Sequence, residues 1–182
     1  MSDTRILVLV GSLRADSLNR KVAESLRAHA PAGTSLEILE GLDRLPFYNE
    51  DLDGPDAPAV VTEFRERVAA GDRVLVVTPE YNGTMPAVLN NAIDWLSRPF
   101  EQGAVTGKPL GVVGVTPTPY GGKWAHQDVV RSARIAGAHV VEDLTVSQSA
   151  LEVDVLSDPD VVARLRNAVA DLAAYEPAAA AA

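Results

Sequence analysis

Apolar residues along the chain fall into short unbroken runs separated by stretches with helical spacing. Ile6-Leu7-Val8-Leu9-Val10 is one such run, and Val74-Leu75-Val76-Val77 within Arg73–Thr78 and the segment Leu110–Val115 repeat the pattern. Runs of this length, rich in Val, Ile and Leu, predict strands buried on both faces. Between them, Leu18, Val22 and Leu26 stand four apart and predict a helix over Leu18–Ala30, closed by Pro31-Ala32-Gly33. Phe64 and Val68 mark a helix over Val60–Ala70 that stops at Gly71-Asp72. Leu89, Ile93 and Leu96 mark a helix over Met85–Ser97, and Trp124–Ala136 forms another that ends at Gly137. Asp158 as N-cap and Pro159 at the first helical position open the last helix, Asp158–Tyr175. Ser35–Leu39 and His139–Val141 read as weaker strands, and Leu45–Ala57, with Pro46, Gly54, Pro55 and several acids, as a long surface loop. Five strands alternating with helices predict a single α/β domain over residues 1–176: a doubly wound parallel sheet with helices on both faces. The Ala-rich tail 177–182 is expected to be disordered.

Ligands of such sheets bind beyond the carboxyl ends of the strands, where the strand order reverses. Three loops follow strands there. The first, Gly11-Ser12-Leu13-Arg14-Ala15-Asp16-Ser17, turns from strand to helix. Its glycine, two hydroxyls, guanidinium and helix-start amides make a cradle for a phosphate dianion; the alternative is a helix cap with a solvated arginine. The second, Thr78-Pro79-Glu80-Tyr81-Asn82-Gly83-Thr84-Met85-Pro86, is held stiff by two prolines and offers an aromatic ring and an amide. The third, Thr116-Pro117-Thr118-Pro119-Tyr120-Gly121-Gly122-Lys123, combines a glycine pair that lets backbone approach a flat ligand with Tyr120, which would cover one of its faces. Together they suit a phosphorylated aromatic ligand. Neither GxxxxGK[ST] nor GxGxxG occurs, so triphosphate and dinucleotide fingerprints are both missing.

Composition narrows the chemistry. With no cysteine, thiol nucleophiles, disulfides and Cys-ligated metals are excluded, and the three histidines fit no metal spacing, so no metal site is expected. A net charge of −9 opposes nucleic acid and anionic membranes, so an anionic ligand needs a local cradle. No run is long enough for an export signal or a membrane span, which makes the cytoplasm the expected location. His29 and His139 read as structural. His126, close to the third loop, is a candidate for substrate contact against the alternative of a packed histidine, and Lys123 and Arg131 could attract a nucleotide phosphate or simply be solvated.

Gly11-Ser12-Leu13-Arg14 with Ser17-Leu18-Asn19-Arg20, then Thr78-Pro79-Glu80-Tyr81-Asn82, then Asn90-Asn91-Ala92-Ile93-Asp94-Trp95-Leu96-Ser97, resemble the NAD(P)H-dependent FMN reductases, a flavodoxin-like family that includes chromate, quinone and azo reductases. The resemblance covers about Arg5 to Val146 and implies strand order 2-1-3-4-5 with FMN at the switch point, as stated generally for flavodoxin. It implies that Ser12, Arg14, Ser17 and Asn19, with Gly11 and Leu18, hold the FMN phosphate. It implies that Pro79, Glu80, Tyr81, Asn82 and Gly83 line the isoalloxazine ring, and that Thr116, Tyr120 and the Gly121-Gly122 turn close its other edge. Where many relatives carry a Ser and a Gly ahead of the glycine pair, this chain has Thr116-Pro117-Thr118-Pro119-Tyr120. The implied enzyme takes hydride from NADPH or NADH and passes electrons to a small-molecule acceptor (a quinone, azo compound, free flavin or metal oxyanion) with ping-pong kinetics. No protein side chain serves as a conventional catalytic group, because the cofactor carries the redox chemistry. A homodimer or homotetramer is implied, with Trp95 in the core or at the interface. The competing readings are a flavodoxin-type electron carrier, which the acidic charge would suit, and a phosphate-binding module without flavin.

Overall fold

The computed structural model describes residues 3–177; the expectation for the tail falls, from 178 on, outside the described residues. A central parallel sheet runs β2-β1-β3-β4-β5, formed by β1 (Thr4–Val10), β2 (Thr34–Ile38), β3 (Arg73–Val77), β4 (Pro109–Thr116) and β5 (His139–Val140). The helices are α1 (Leu18–Ala28), α2 (Ala59–Ala69), α3 (Ala87–Leu96), α4 (Lys123–Ile135) and α5 (Pro159–Ala174). All five predicted strands and all five helices are present, with ends shifted by one or two residues.

The apolar runs alternate between two cores, as the pleat requires. Leu7, Leu9, Val74, Val76, Leu110 and Val112 face α2, α3 and α4. Ile6, Val8, Leu75, Val77, Val113 and Val115 face α1 and α5. Every residue of β4 is buried, which accounts for its uninterrupted apolar stretch. Asp158 caps α5 as expected, accepting from the amides of Asp160 and Val161.

Two expectations need correction. The sheet has six strands, because β6 (Val146–Ser149) lies beside the second half of β4 while β5 covers only its first two residues. A short 3-10 turn, Glu142–Leu144, separates these two pieces of one edge. The segment Leu45–Ala57 is not simply a solvated loop. Trp95 Nε1 and Asn91 Nδ2 donate to the Pro46 carbonyl at 2.8 and 3.0 Å, and the Tyr48 amide donates to Asn91 Oδ1. Arg65 pairs with Asp53 at 2.8 Å and holds its carboxyl below the usual carboxylate range. Trp95 is therefore a core residue, fully buried beneath this segment.

Candidate functional site

The strand order reverses between β1 and β3, where β2 lies on one side of β1 and the rest of the sheet on the other. The segments that leave β1 and β3 at that switch point are in close contact: a Cβ on Gly11 would sit 2.3 Å from Thr78 Oγ1, so only glycine fits there.

From Gly11 the first loop reaches α1. Ser17 is its N-cap, and its hydroxyl accepts from the Arg20 amide at 3.2 Å. Among the described residues, the backbone N–H groups of residues 12–17 donate to no protein acceptor, and Arg14 forms no ion pair. The neighbouring cations are engaged: Lys21 bonds Asp16, and Arg20 bonds Glu24 and Glu40, holding the Glu40 carboxyl below its usual range. A cavity of about 360 Å³ opens between this loop and the segment Leu39–Asp43 after β2. Residues 12–15 line it with acceptor-free amides and the uncommitted Arg14 guanidinium, which suit an anion with several acceptor oxygens; Glu24, Glu40 and Asp43 line it too, the first two paired with Arg20.

Asn19 lies beneath this loop but is tied elsewhere. Its carboxamide donates to the Val115 carbonyl at 2.8 Å and accepts from the Val115 amide at 3.0 Å. At 4% exposure it is a strut between α1 and β4, where the resemblance implied a phosphate contact. Leu18 is partly buried against the α1/α5-side core.

In the second loop, Tyr81 and Thr84 exchange backbone hydrogen bonds around Asn82 and Gly83, whose φ values are 54° and 72°. Two successive left-handed residues with the sequence Asn-Gly make a type I′ hairpin. The tip is fixed on α4 by Thr84 Oγ1, which donates to Asp128 at 2.5 Å. Tyr81 is 44% exposed, and its hydroxyl lies 3.5 Å from Ser12 Oγ, so it bridges the first two loops. Glu80 plays a part that its sequence position does not reveal. Its carboxylate accepts from the amides of Trp124 and Ala125 at 3.0 and 3.1 Å, capping α4 from another loop. A carboxylate on a helix N-terminus also matches the sign of the helix dipole.

In the third loop, Gly121 and Gly122 have φ of 63° and 86°. The close approach expected there exists, and on the Cβ side it is made by protein: a Cβ on Gly121 would lie 2.9 Å from the backbone of Ser147 and Gln148 in β6. The Gly121 amide bonds the Thr118 carbonyl, leaving the Gly122 amide without a protein acceptor among the described residues. Thr116 is buried, with its hydroxyl 2.9 Å from that of Thr118. Tyr120 stands outward beside Trp124, their ring centroids 4.5 Å apart.

His126 joins these loops from below. It is fully buried, with Nδ1 2.6 Å from Ser147 Oγ and Nε2 3.3 Å from the Thr78 carbonyl. Nε2 therefore carries the proton and Nδ1 accepts from the serine. Burial lowers its pKa below the ordinary histidine value. Gly114 makes room for it, since a Cβ there would stand 2.6 Å from Nε2. His126 is a packed connector and not a surface contact for substrate; Ser147, on the unforeseen strand, is its partner.

A family model described as NADPH-dependent FMN reductase matches residues 4–151. A quinone reductase of Pseudomonas putida is 46% identical over 127 residues, covering 70% of this chain and 68% of that protein. A 2-hydroxy-1,4-benzoquinone reductase of a Burkholderia species is 44% identical over 112 residues, covering 62% of this chain and 60% of that protein. Among solved structures, the flavoenzyme NAD(P)H:(acceptor) oxidoreductase of Paracoccus denitrificans superposes with a TM-score of 0.83 at 31% identity, covering 94% of this chain and 96% of that one.

Proposed function

Since the chain belongs to the NADPH-dependent FMN reductase family, we propose that its three carboxyl-edge loops hold FMN and present it to NAD(P)H and then to a small quinone. As a family member it is a flavin-dependent NAD(P)H oxidoreductase acting on small-molecule acceptors. The observation that carries the assignment of residues is the first loop, where residues 12–15, with acceptor-free backbone amides and unpaired Arg14, line a cavity shared with the segment after β2. That donor set fits a phosphate dianion. The exposed Tyr81 hairpin and the Thr116–Gly122 loop fit the two margins of a flat ring.

Bound FMN would supply the two-electron redox chemistry, for a net NAD(P)H + H⁺ + quinone giving NAD(P)⁺ + hydroquinone. Ser12, Arg14 and the amides of residues 13–17 bind the phosphate end. Ser17 keeps the α1 N-terminus open toward it by satisfying the Arg20 amide. Pro79, Tyr81, Asn82 and Gly83 would orient the ring on one side, and Thr116 and Gly122 on the other. The Gly122 and Asn82 amides, without protein acceptors among the described residues, would serve as fixed donors to negative charge on the reduced ring. Glu80 and His126 contact neither end; they hold the loops in register through α4 and β6.

In this reading residues 1–176 act as one flavin-binding unit, in the cytoplasm, as a homodimer or homotetramer. No helix among the described residues is long and apolar enough to cross a membrane, and the exposed Phe100 and Ile135 offer apolar contact between copies. The test is the absorption spectrum of the protein as purified or after FMN addition, followed by oxidation of NADH and NADPH with a quinone. A bound-flavin spectrum with steady turnover is expected. Bound flavin without nicotinamide turnover would make the protein an electron carrier, and absence of flavin binding would overturn the reading.

A further inference from the structure

The third loop carries an arrangement that flavin binding alone does not call for. Tyr120 and Trp124 are 52% and 40% exposed, and their rings meet at 46° with centroids 4.5 Å apart. Lys123 Nζ lies 5.6 Å from one ring centroid and 5.4 Å from the other. Two large aromatic faces and a cation thus share one patch of surface.

The patch is rigid and borders the site. Pro117 and Pro119 stiffen the approach to it, Lys123 donates its amide to the Tyr120 carbonyl, and Glu80 grips the Trp124 amide. Through Glu80 it is fastened to the hairpin that bears Tyr81. Resting on the flavin reading above, we propose that Tyr120, Lys123 and Trp124 form an acceptor-docking platform that selects planar aromatic acceptors carrying an anionic substituent: a sulfonate, a carboxylate or an ionised hydroxyl.

Arg131 bonds Asp128 and Arg134 bonds Glu142, whereas Lys123 has no carboxylate partner among the described residues. Glu80, the acid of the connected loop, accepts from two backbone amides. Ring faces attract the ammonium without neutralising it, so its full charge remains available to an anion. The chain's net charge of −9 would by itself disfavour such acceptors. At physiological salt that distributed charge is screened beyond about 8 Å, so a cation in direct contact with the ligand outweighs it. A ring with an acidic substituent therefore stacks on Tyr120 and Trp124 and sets its anion against Lys123, while an unsubstituted ring obtains only the stacking.

The FMN-loaded protein is assayed with 1,4-naphthoquinone and its 2-sulfonate, and the ratio of kcat/KM for the sulfonate over that for the neutral quinone is compared among variants. Lys123→Gln is expected to lower this ratio about three- to fivefold, the upper end for one exposed ion pair, and Lys123→Glu to lower it further. Arg166→Gln, which removes the same charge from α5, leaves the ratio within twofold. Equilibrium dialysis of redox-inert naphthalene-2-sulfonate gives a readout independent of turnover. Its affinity should fall in Lys123→Gln, and in Trp124→Leu by loss of the ring face. A ratio and a naphthalene-2-sulfonate affinity that Lys123→Gln leaves unchanged would overturn the platform while leaving the flavin reading intact. If the protein holds no flavin, that reading fails, and the dialysis result alone decides the platform.

Discussion

Asn19 offers the sharpest test of how the switch point is built. Strand β3 ends at Val77, and its last rung to β4 runs from the Thr78 amide to the Val113 carbonyl at 3.0 Å. Beyond that point the N–H and C=O of Val115 face no strand on that side, and the Asn19 carboxamide meets both, at 3.0 and 2.8 Å. Asn19→Ala would strand two buried backbone groups. An unsatisfied buried polar group costs about 1–3 kcal/mol, and two groups served by one side chain give about 2–4 kcal/mol in total. For a domain of this size that is a fall in Tm of about 5–15 °C. The assay is urea unfolding of FMN-free protein, followed by the emission of buried Trp95, with the slope m checked to be unchanged. Asn19→Asp keeps an acceptor but sets a carboxylate against the Val115 carbonyl, and should be at least as damaging at neutral pH. A loss below about 0.5 kcal/mol in the flavin-free alanine variant, combined with weakened FMN binding, would refute the strut and return Asn19 to the phosphate.

Two further outcomes follow from the same geometry. Arg14→Ala should weaken FMN about tenfold, since a charge-assisted bond to phosphate contributes at least ~1.5 kcal/mol; flavin fluorescence titration measures this, and equal dissociation constants would remove Arg14 from the site. His126, whose pKa burial depresses, binds a proton less readily folded than unfolded. Stability should therefore hold above the unfolded value near 6.5 and decline as pH falls below it toward the depressed folded value, with a slope of up to ~1.4 kcal/mol per pH unit from this group. Comparing the pH dependence of urea midpoints in wild type and His126→Gln checks it: the glutamine variant should lose that part of the slope, and identical profiles would count against a neutral buried imidazole.

Much of the architecture was legible because its residues answer to one local rule. The runs Ile6–Val10 and Val74–Val77 are buried on both faces, so every position along them is apolar and no register error hides the strand. The Gly11–Ser17 loop was legible too, since glycine, hydroxyls and arginine ahead of a helix signal an anion site through their own chemistry. β6 was not. Val146-Ser147-Gln148-Ser149 lies at an edge, half exposed, with a single apolar residue, and becomes a strand only because β4 extends past β5 and leaves its second half unpaired. Glu80 and His126 were equally opaque in their roles, as their partners lie 44 and 21 residues away.

The order of strands and helices, the two-sided core and the chemistry gathered at the sheet edge are properties of the amino-acid sequence itself, because hydrophobic periodicity and turn chemistry act over a few residues. Which polar side chains face a ligand and which brace the loops was decided in the tertiary structure. A carboxylate or carboxamide bonds whatever amide the packed elements bring within about 3 Å, and for Asn19 that amide is 96 residues away.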